Sequence, residues 1–355
     1  MKTQFVTVHS ALGQEEQLNI ACAAQIIRDG GLVIFPTETV YGLGGDATNP
    51  AAANAIYAAK GRPADNPLII HIATPADAEK YTYTSPVYHK LAEAFMPGPL
   101  TVIMKSKPCI PLSVRAGLDT VAVRCPSHPV ANALIRAAGV PIAAPSANLS
   151  GKPSPTCFEH VKYDMDGRVD MIIDGGDAEV GLESTIVKIE DDGTLLLLRP
   201  GKITTKELNK IVPGVRVASA VTAQLKQGET VLSPGMKYRH YAPSAPLYLI
   251  KGSIKARQKF FASLKGKNGL LSYTDEVEMF ASIFGEENVF PLGLHFDLDT
   301  QAHNLFHLLW EVDKRGYDAI YAPLPPQDGL GLALYNRMIR AAAYQIIDLD
   351  QEKER

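Results

Sequence analysis

Two short motifs carry residue types that can hold a polyphosphate, Lys60-Gly61-Arg62 and Ser146-Ala147-Asn148. Lysine supplies a compact positive charge, and arginine supplies a planar fork of hydrogen-bond donors. Serine and asparagine add neutral hydrogen bonds that fix the orientation of a ligand. Because the chain contains no G-x-x-x-x-G-K-[ST] sequence, this combination predicts nucleotide chemistry without a P-loop.

Both motifs also have a simpler interpretation. Lys60 and Arg62 could be solvated charges at the end of a helix, where cations interact favourably with the helix dipole. Ser146 and Asn148 could belong to an ordinary turn, because both residue types favour turns. The four residues taken alone leave these interpretations open.

Further segments surround the two motifs in a defined order: PTETVYGL (36–43), NPL (66–68), PGPLT (97–101), SANLSG (146–151), ESTIV (183–187) and RPG (199–201). The ordered set closely resembles the threonylcarbamoyl-AMP synthase family, over about residues 12–205. The segment SPGMKYRHYAP (233–243) looks like the linker of that family's two-domain form. The resemblance therefore favours the nucleotide interpretation of both motifs.

The resemblance also implies roles for individual residues. ATP is expected to be bound by Lys60, Arg62, Asn66, Thr120, Ser146, Asn148, Ser154, Arg199 and Tyr238. Threonine is expected to be bound by Thr39, His71, Arg124, Ala144 and Ser184. Within the ATP set, the catalytic group is Lys60, Arg62, Ser146 and Asn148. Arg124 is expected to hold the threonine carboxylate with two parallel hydrogen bonds, although an arginine at a strand end often only reaches solvent.

By the same resemblance, L-threonine, bicarbonate and ATP react to give threonylcarbamoyl-AMP and pyrophosphate. Mg²⁺ is expected to bind through the ATP phosphates, without a set of protein metal ligands. The product is expected to pass to a tRNA threonylcarbamoyl transferase complex, with weak or indirect tRNA contact by this chain. We also hypothesise that residues 228–246, with Tyr238, Arg239, His240 and Tyr241, close over the pocket as a lid.

The hydrophobic pattern predicts an α/β fold in two domains, since 355 residues exceed what one core usually serves. Residues 12–205 are expected to form a YrdC-like catalytic domain, a twisted mixed sheet with flanking helices. Helices are predicted at 14–29 and from Pro50 to Lys60, and strands at 32–35, 67–72, 100–105 and 120–124. Residues 42–47 (GLGGDA) fit a relaxed dinucleotide pattern, but they are too far from the flanking strand and helix, so we expect a tight glycine turn.

After residue 205 the pattern changes. Residues 206–245 contain many prolines and glycines in their second half and are predicted to form a linker or lid. From 246 to 350, strands alternate with helices, which predicts a smaller Rossmann-like domain of parallel βαβ units. His303 and His307 are four residues apart, so they are predicted to lie on the same face of a helix surface. They do not form a zincin motif, which would need glutamate at 304, where asparagine stands.

Composition bounds the class of protein. The chain is 46% hydrophobic and 21% charged, with a formal net charge of −3, which argues against a broadly basic nucleic-acid surface. Its four cysteines lack C-x-x-C spacing, so free thiols and a cytoplasmic location are expected. No run of 18 apolar residues occurs, and no membrane contact is expected.

The sequence also bears on three alternative functions. An RNA-binding module conflicts with the acidic net charge and with the absence of RNA-binding motifs. Adenylation with carbamoyl phosphate would be expected in a larger chain with zinc-finger segments. A nicotinamide-dependent enzyme would need a glycine-rich loop after the first strand of the second domain, where Gly252-Ser253-Ile254 stands instead.

Overall fold

The computed structural model describes residues 2–223 and 241–350. Within these ranges the chain forms two compact units. The first unit contains residues 2–150 and 154–223, and the second contains residues 151–153 and 241–350. The predicted linker segment 228–240, with Tyr238, Arg239 and His240, lies outside the described residues.

In its described part the first unit contains one sheet of eleven strands, in the order β1-β8-β2-β3-β7-β4-β6-β5-β9-β10-β11. Parallel and antiparallel pairs alternate irregularly along it, so the predicted mixed sheet is confirmed. The strands are β1 (Gln4–Thr7), β2 (Val33–Phe35), β3 (Gly42–Asp46), β4 (Ile69–His71), β5 (Leu100–Lys105), β6 (Thr120–Arg124), β7 (Ile142–Ala143), β8 (Met171–Asp174), β9 (Thr185–Ile189), β10 (Leu195–Arg199) and β11 (Arg216–Val217).

Helices flank this sheet and bury their apolar faces against it. They are α1 (Gln14–Arg28), α2 (Pro50–Lys60), α3 (Ala78–Tyr81), α4 (Pro86–Phe95), α5 (Leu112–Arg115), α6 (Pro129–Ala138), α7 (Phe158–Met165) and α8 (Thr205–Ile211). One core cluster joins Ile27 of α1, Phe35 of β2 and Leu134 of α6, all fully buried. The predicted helix at 14–29 and the strands at 100–105 and 120–124 are confirmed.

Helix α2 shows why the first motif lies where it does. Pro50 stands in the first turn, and the side chain of Asn49 accepts a hydrogen bond from the Ala51 N–H. Gly61 ends the helix at φ 59°, a left-handed conformation that glycine adopts most easily. Lys60 is therefore the last helical residue, and Arg62 follows the turn.

The glycine turn predicted at 42–47 is wrong, because Gly42–Asp46 forms strand β3 inside the sheet. It pairs antiparallel with β2 and with β7. A Cβ at Gly44 would lie 2.7 Å from a ring carbon of Phe35 and 2.8 Å from Cγ2 of Ile142. Glycine is needed here for close packing between strands rather than for a positive φ.

The second unit has an all-parallel sheet, in the order β14-β13-β15-β12-β16. Its strands are β12 (Leu247–Lys251), β13 (Asn268–Tyr273), β14 (Val289–Gly293), β15 (Ala319–Pro323) and β16 (Ile346–Asp348), and its helices are α9 (Ile254–Ala262), α10 (Val277–Phe284), α11 (Leu298–Asp313) and α12 (Gly331–Ala341). The alternation of strands and helices predicted from 246 onward is confirmed; only β16 is additional.

The core of the second unit is built around Phe261, whose ring meets that of Phe280 edge-on and lies tilted against that of Tyr321. Tyr241, the first residue of the described range 241–350, packs its ring 5.1 Å from that of Phe306. His303 and His307 are both exposed on α11. In the described ranges we find no helix with the length and apolarity needed to cross a membrane.

Candidate active site

Three strand ends meet at the centre of the first sheet. Arg124 ends β6, and its register partners are His71 at the end of β4 and Thr101 near the start of β5. Arg124 and His71 are 4% and 3% exposed. A cation in so apolar a position needs partners of opposite charge or hydrogen-bond acceptors.

The loop between β2 and β3 supplies these partners. Arg124 donates from Nη1 to the hydroxyl of Thr39 at 2.8 Å, and its Nη2 lies 2.8 Å from Oε1 of Glu38. Thr39 is held in turn by the Thr37 hydroxyl at 2.9 Å. Burial favours the neutral acid of Glu38, but the charge and hydrogen bonding of Arg124 outweigh it and lower the pKa of that carboxyl.

The fork of Arg124 retains hydrogen-bonding capacity. Among the described residues, Nε of Arg124 has no hydrogen-bond partner, and Nη2 contacts only the Glu38 carboxylate, as one half of an ion pair. Nε and Nη2 form the side of a guanidinium that binds a carboxylate with two parallel bonds. The pocket can therefore accept a carboxylate at Arg124 and a donor at Glu38.

Ser184 joins the other wall of this pocket. Its hydroxyl lies 2.8 Å from that of Thr101, because β5 and β9 pair in parallel. Arg199 donates from Nε to the Ser184 carbonyl at 3.0 Å and from Nη2 to the Ser184 hydroxyl at 3.1 Å. Arg199, predicted on the ATP side, thus directly contacts a residue of the predicted threonine set.

His71 is uncharged in this environment. Burial, followed by the charge of Arg124, lowers its pKa to about 3. Its Nδ1 has no hydrogen-bond partner in the part of the chain that the structure describes. A neutral imidazole with an open nitrogen can orient a ligand without repelling a positively charged group.

The two sequence motifs, 60–62 and 146–148, come together around the ammonium of Lys60. Its Nζ donates to the carbonyls of Ser146 at 2.5 Å and Asn148 at 2.7 Å, and lies 3.4 Å from Oδ1 of Asn148. The Ser146 hydroxyl donates to the same Oδ1 at 2.6 Å. Burial, with a smaller contribution from Arg62, lowers the pKa of Lys60 well below its ordinary value. Lys60 therefore fixes the 146–148 loop from within.

Two further predicted ATP residues lie near these motifs. Arg62 donates from Nη2 to the Asn66 carbonyl at 3.0 Å, and Asn66 is fully buried with no partner for its side-chain amide in the described ranges. Ser154 donates to Oε1 of Glu183 at 2.6 Å. Glu183 and Ser184 are adjacent, so this bond brings Ser154 close to the Arg124 pocket.

The two clusters share a backbone connection. The Ala147 N–H donates to the Tyr41 carbonyl at 2.9 Å, and the Leu43 N–H donates to the Pro145 carbonyl at 2.9 Å. Gly42 and Ser146 also form an isolated bridge. The loop that carries Glu38 and Thr39 therefore leads directly to the loop that Lys60 holds.

Three predicted residues stand apart from these side-chain networks. Thr120 begins β6, opposite Lys105 and at the far end of the strand from Arg124, and its side chain bonds to neither cluster. Ala144 is buried after β7 and donates its N–H to the Ile69 carbonyl. Tyr238 lies outside the described residues.

Sequence reasoning did not select Glu38, Thr101 or Glu183, although all three lie in segments that it singled out. The available signal was an acidic residue in an apolar context, as with Glu38 directly after the buried strand β2. Such a residue requires a buried cation, but the sequence does not say which cation it meets.

The arrangement can hold two different groups. Arg124 and Thr39 bring a guanidinium and a hydroxyl together, and Ser184 contacts Thr101, the strand neighbour of Arg124; this group of side chains can bind a carboxylate with a hydroxyl-bearing substituent. Next to it, the cations of the first motif and the Ser146 and Asn148 side-chain oxygens present donors and acceptors to a polyphosphate. Those two oxygens, 2.6 Å apart, are also of the type that Mg²⁺ prefers.

Family models match most of the chain. Residues 25–201 match the model of the Sua5/YciO/YrdC family, described as "Telomere recombination". Residues 203–343 match the model described as "Threonylcarbamoyl-AMP synthase, C-terminal domain".

Individual relatives match over nearly full length. The chain is 44% identical to the threonylcarbamoyl-AMP synthase of Bacillus subtilis over 98% of this chain and 100% of that protein. It is 43% identical to the Pyrococcus abyssi enzyme of the same name, over 94% and 96%. A crystal structure of P. abyssi Sua5 complexed with L-threonine is similar with a TM-score of 0.87 at 41% identity, covering 98% of this chain and 99% of that one.

Proposed function

Because the chain belongs to the threonylcarbamoyl-AMP synthase family, we propose that it converts L-threonine, bicarbonate and ATP into threonylcarbamoyl-AMP and pyrophosphate. The observation that carries the proposal is the buried guanidinium of Arg124, whose Nε has no hydrogen-bond partner among the described residues and whose Nη1 donates to the hydroxyl of Thr39. A free amino acid presents a carboxylate that would complete this site. The P. abyssi relative, whose structure contains L-threonine, supports that ligand.

The chain's own residues would act mainly by positioning the reactants. Arg124 would fix the threonine carboxylate, and the neutral His71 would leave the amino group unopposed by a second cation. The amine nitrogen forms a bond to the bicarbonate carbon and water leaves. The resulting carbamate oxygen then attacks the α-phosphorus of ATP, and the bond to pyrophosphate breaks. Such a sequence needs no side-chain nucleophile.

The phosphates would lie between the two sequence motifs. Arg62 is half-buried and supplies a fork of donors, while Lys60 holds Ser146 and Asn148 at the distances described. Asn66, Thr120, Ser154, Arg199 and Tyr238 complete the proposed nucleotide set, and Ala144 completes the threonine set. Mg²⁺ would be held by the phosphates with Ser146 and Asn148, and when bound it would neutralise phosphate charge.

The wider setting is part of the proposal. The product would be handed to a transferase complex that modifies tRNA, with little direct tRNA contact by this chain, whose net charge is −3. A cytoplasmic location is supported by the four cysteines, none of which forms a disulfide. The similarity to synthases over the full length does not favour an RNA-binding module or a carbamoyl-phosphate enzyme.

The test is pyrophosphate release from ATP and Mg²⁺, measured with and without L-threonine and bicarbonate. We expect release only when both are present, and a loss of release in Arg62→Ala. The control is Arg28→Ala, an exposed arginine on α1. Release that requires carbamoyl phosphate instead of bicarbonate, or release that is independent of threonine, would contradict the proposal.

A further inference from the structure

The second unit contains a cavity of about 570 Å³ that no step of the proposed reaction uses. Its lining comes from the carboxyl ends of four parallel strands: Lys251 at the end of β12, Tyr273 of β13, His295 and Phe296 after β14, and Pro323 of β15. Cavities of this size suit a small organic ligand.

The topology of the sheet explains why a crevice opens here. From β12 the chain crosses two places in one direction to reach β13, and from the adjacent β15 it crosses two places in the opposite direction to reach β16. The connections leaving these neighbouring strands therefore diverge. In open parallel sheets, ligands bind at the carboxyl edge where adjacent connections diverge.

One wall of the cavity is aromatic and exposed. Phe296 is 93% exposed, which is unusual for a large apolar side chain beside a cavity. His295 lies between two rings, 5.0 Å from Phe296 and 4.3 Å from Tyr273. Pro325 and Pro326 contribute further apolar surface. A planar heterocycle could stack on Phe296 and be shielded by these prolines.

The other end of the cavity is cationic. Lys251 and Arg257 line it, and no acidic residue does. Arg257 is fixed by the two hydrogen bonds of 2.6 Å that it donates to the Glu276 carboxylate, whereas Lys251 keeps 53% of its side chain exposed despite its contact with Asp348. Helix α9 begins at Ile254 on the same loop, so its first N–H groups add positive potential.

We propose that this cavity binds a nucleoside monophosphate, with the base stacked on Phe296 and the phosphate held at Lys251 and the start of α9. An aromatic wall and a cationic end within one cavity fit a ligand that is planar at one end and anionic at the other. This site is separate from the pocket around Arg124, and its occupancy does not depend on the reaction carried out there.

Photolabelling of the full-length protein with 8-azido-AMP, followed by peptide mapping, tests this assignment. Mapping separates the two units, so labelling of an ATP pocket in the first unit is not mistaken for the new site. We expect label on peptides containing 294–298 or 323–326, competed by unlabelled AMP. Because charge-assisted contacts contribute about 1.5–3 kcal/mol, adenosine should compete about tenfold or more weakly.

Substitutions of two exposed residues should each reduce this labelling by about tenfold or more. Phe296→Ala removes the stacking surface, and Lys251→Glu removes the charge attraction. Their controls are Leu294→Ala, which removes an exposed apolar side chain of the same loop, and Lys259→Glu, which reverses an exposed lysine; neither residue lines the cavity, and both variants should label normally. Label confined to the first unit, second-unit label that neither variant reduces, or equal competition by adenosine and AMP would overturn the proposal.

Discussion

Arg124 has three different contacts in one side chain: Nη1 donates to the Thr39 hydroxyl, Nη2 pairs with the Glu38 carboxylate, and Nε has no partner among the described residues. A strand-end arginine that merely reached solvent, the alternative left open by the sequence, would be exposed, whereas Arg124 is 4% exposed. At this position the planar fork matters more than the charge, since a lysine would preserve only the charge.

Replacing Arg124 with lysine should therefore impair threonine binding more than nucleotide binding. Loss of one charge-assisted hydrogen bond predicts a rise of about ten- to a hundredfold in KM for threonine, with a smaller change in KM for ATP. Pyrophosphate release at varied concentrations of each substrate measures both. Arg136→Lys, on exposed α6 surface, is the control. Equal changes in both KM values would count against the assignment.

His71 should make the first unit sensitive to acid. Its folded pKa of about 3 lies below the unfolded value of about 6.5, so between these values the unfolded chain binds one more proton. The free energy of unfolding should therefore decrease as the pH falls through this window, by about 1.4 kcal/mol per pH unit from this group.

In His71→Gln this contribution to the pH dependence should disappear. Urea unfolding at several pH values between 5 and 7.5 gives the slope of the unfolding free energy against pH. Hydrogen exchange of first-unit peptides monitors the unfolding of that unit. His9→Gln alters an exposed histidine and should leave the slope unchanged. An unchanged slope in His71→Gln would mean that the imidazole titrates normally in the folded protein.

At the level of elements, strand β3 is the clearest departure from what the sequence indicates. Strands are rarely built from glycine, so the sequence GLGGD indicates a turn. The structure shows that Phe35 and Ile142 occupy the space a side chain would need at Gly44. That requirement depends on partners 9 and 98 positions away, which no local pattern in the sequence can reveal.

Gly44→Ala should accordingly destabilise the first unit by about 1–3 kcal/mol, the usual cost of overpacking. Phe35→Leu removes the ring carbon that a Cβ at Gly44 would meet at 2.7 Å. The double variant should then be more stable than the sum of the two single effects predicts, by about 0.5 kcal/mol or more. Additive unfolding free energies from urea titration would show that the close contact does not limit the strand.

Other elements were predictable because their signals are local. Asn49, Pro50 and Gly61 mark both ends of α2, and the structure places the helix between them. Alternation of strands and helices likewise identified β12 to β15. The grouping of Thr39, His71 and Ser184 around Arg124 was not derivable in this way, since it depends on the order of strands in the sheet.

For the whole molecule, two separate cores predict two unfolding events. Trp310 is the chain's single tryptophan and is buried in the second unit, so its fluorescence reports on that unit. Phe280→Ala, in the same core, should destabilise the second unit by about 3–5 kcal/mol and lower the midpoint of the Trp310 transition.

Phe35→Ala provides the complementary variant, because Phe35 is fully buried in the core of the first unit. It should lower the midpoint of the first-unit transition, which circular dichroism monitors, and leave the midpoint of the Trp310 fluorescence transition unchanged. If both variants shift the fluorescence midpoint equally, the chain unfolds as one cooperative body.

The carboxylate of Glu38 beside Arg124 has a consequence for the empty enzyme in a salt-rich solution. A buried guanidinium without a counter-ion would attract whatever anion is abundant, such as chloride or inorganic phosphate. Here the protein carries its own counter-ion, so the vacant pocket is close to electrically neutral. Common anions gain little by entering, and a ligand must offer the right shape and an amino group as well as a negative charge. Glu38 thus keeps the site available in the presence of a large excess of competing ions.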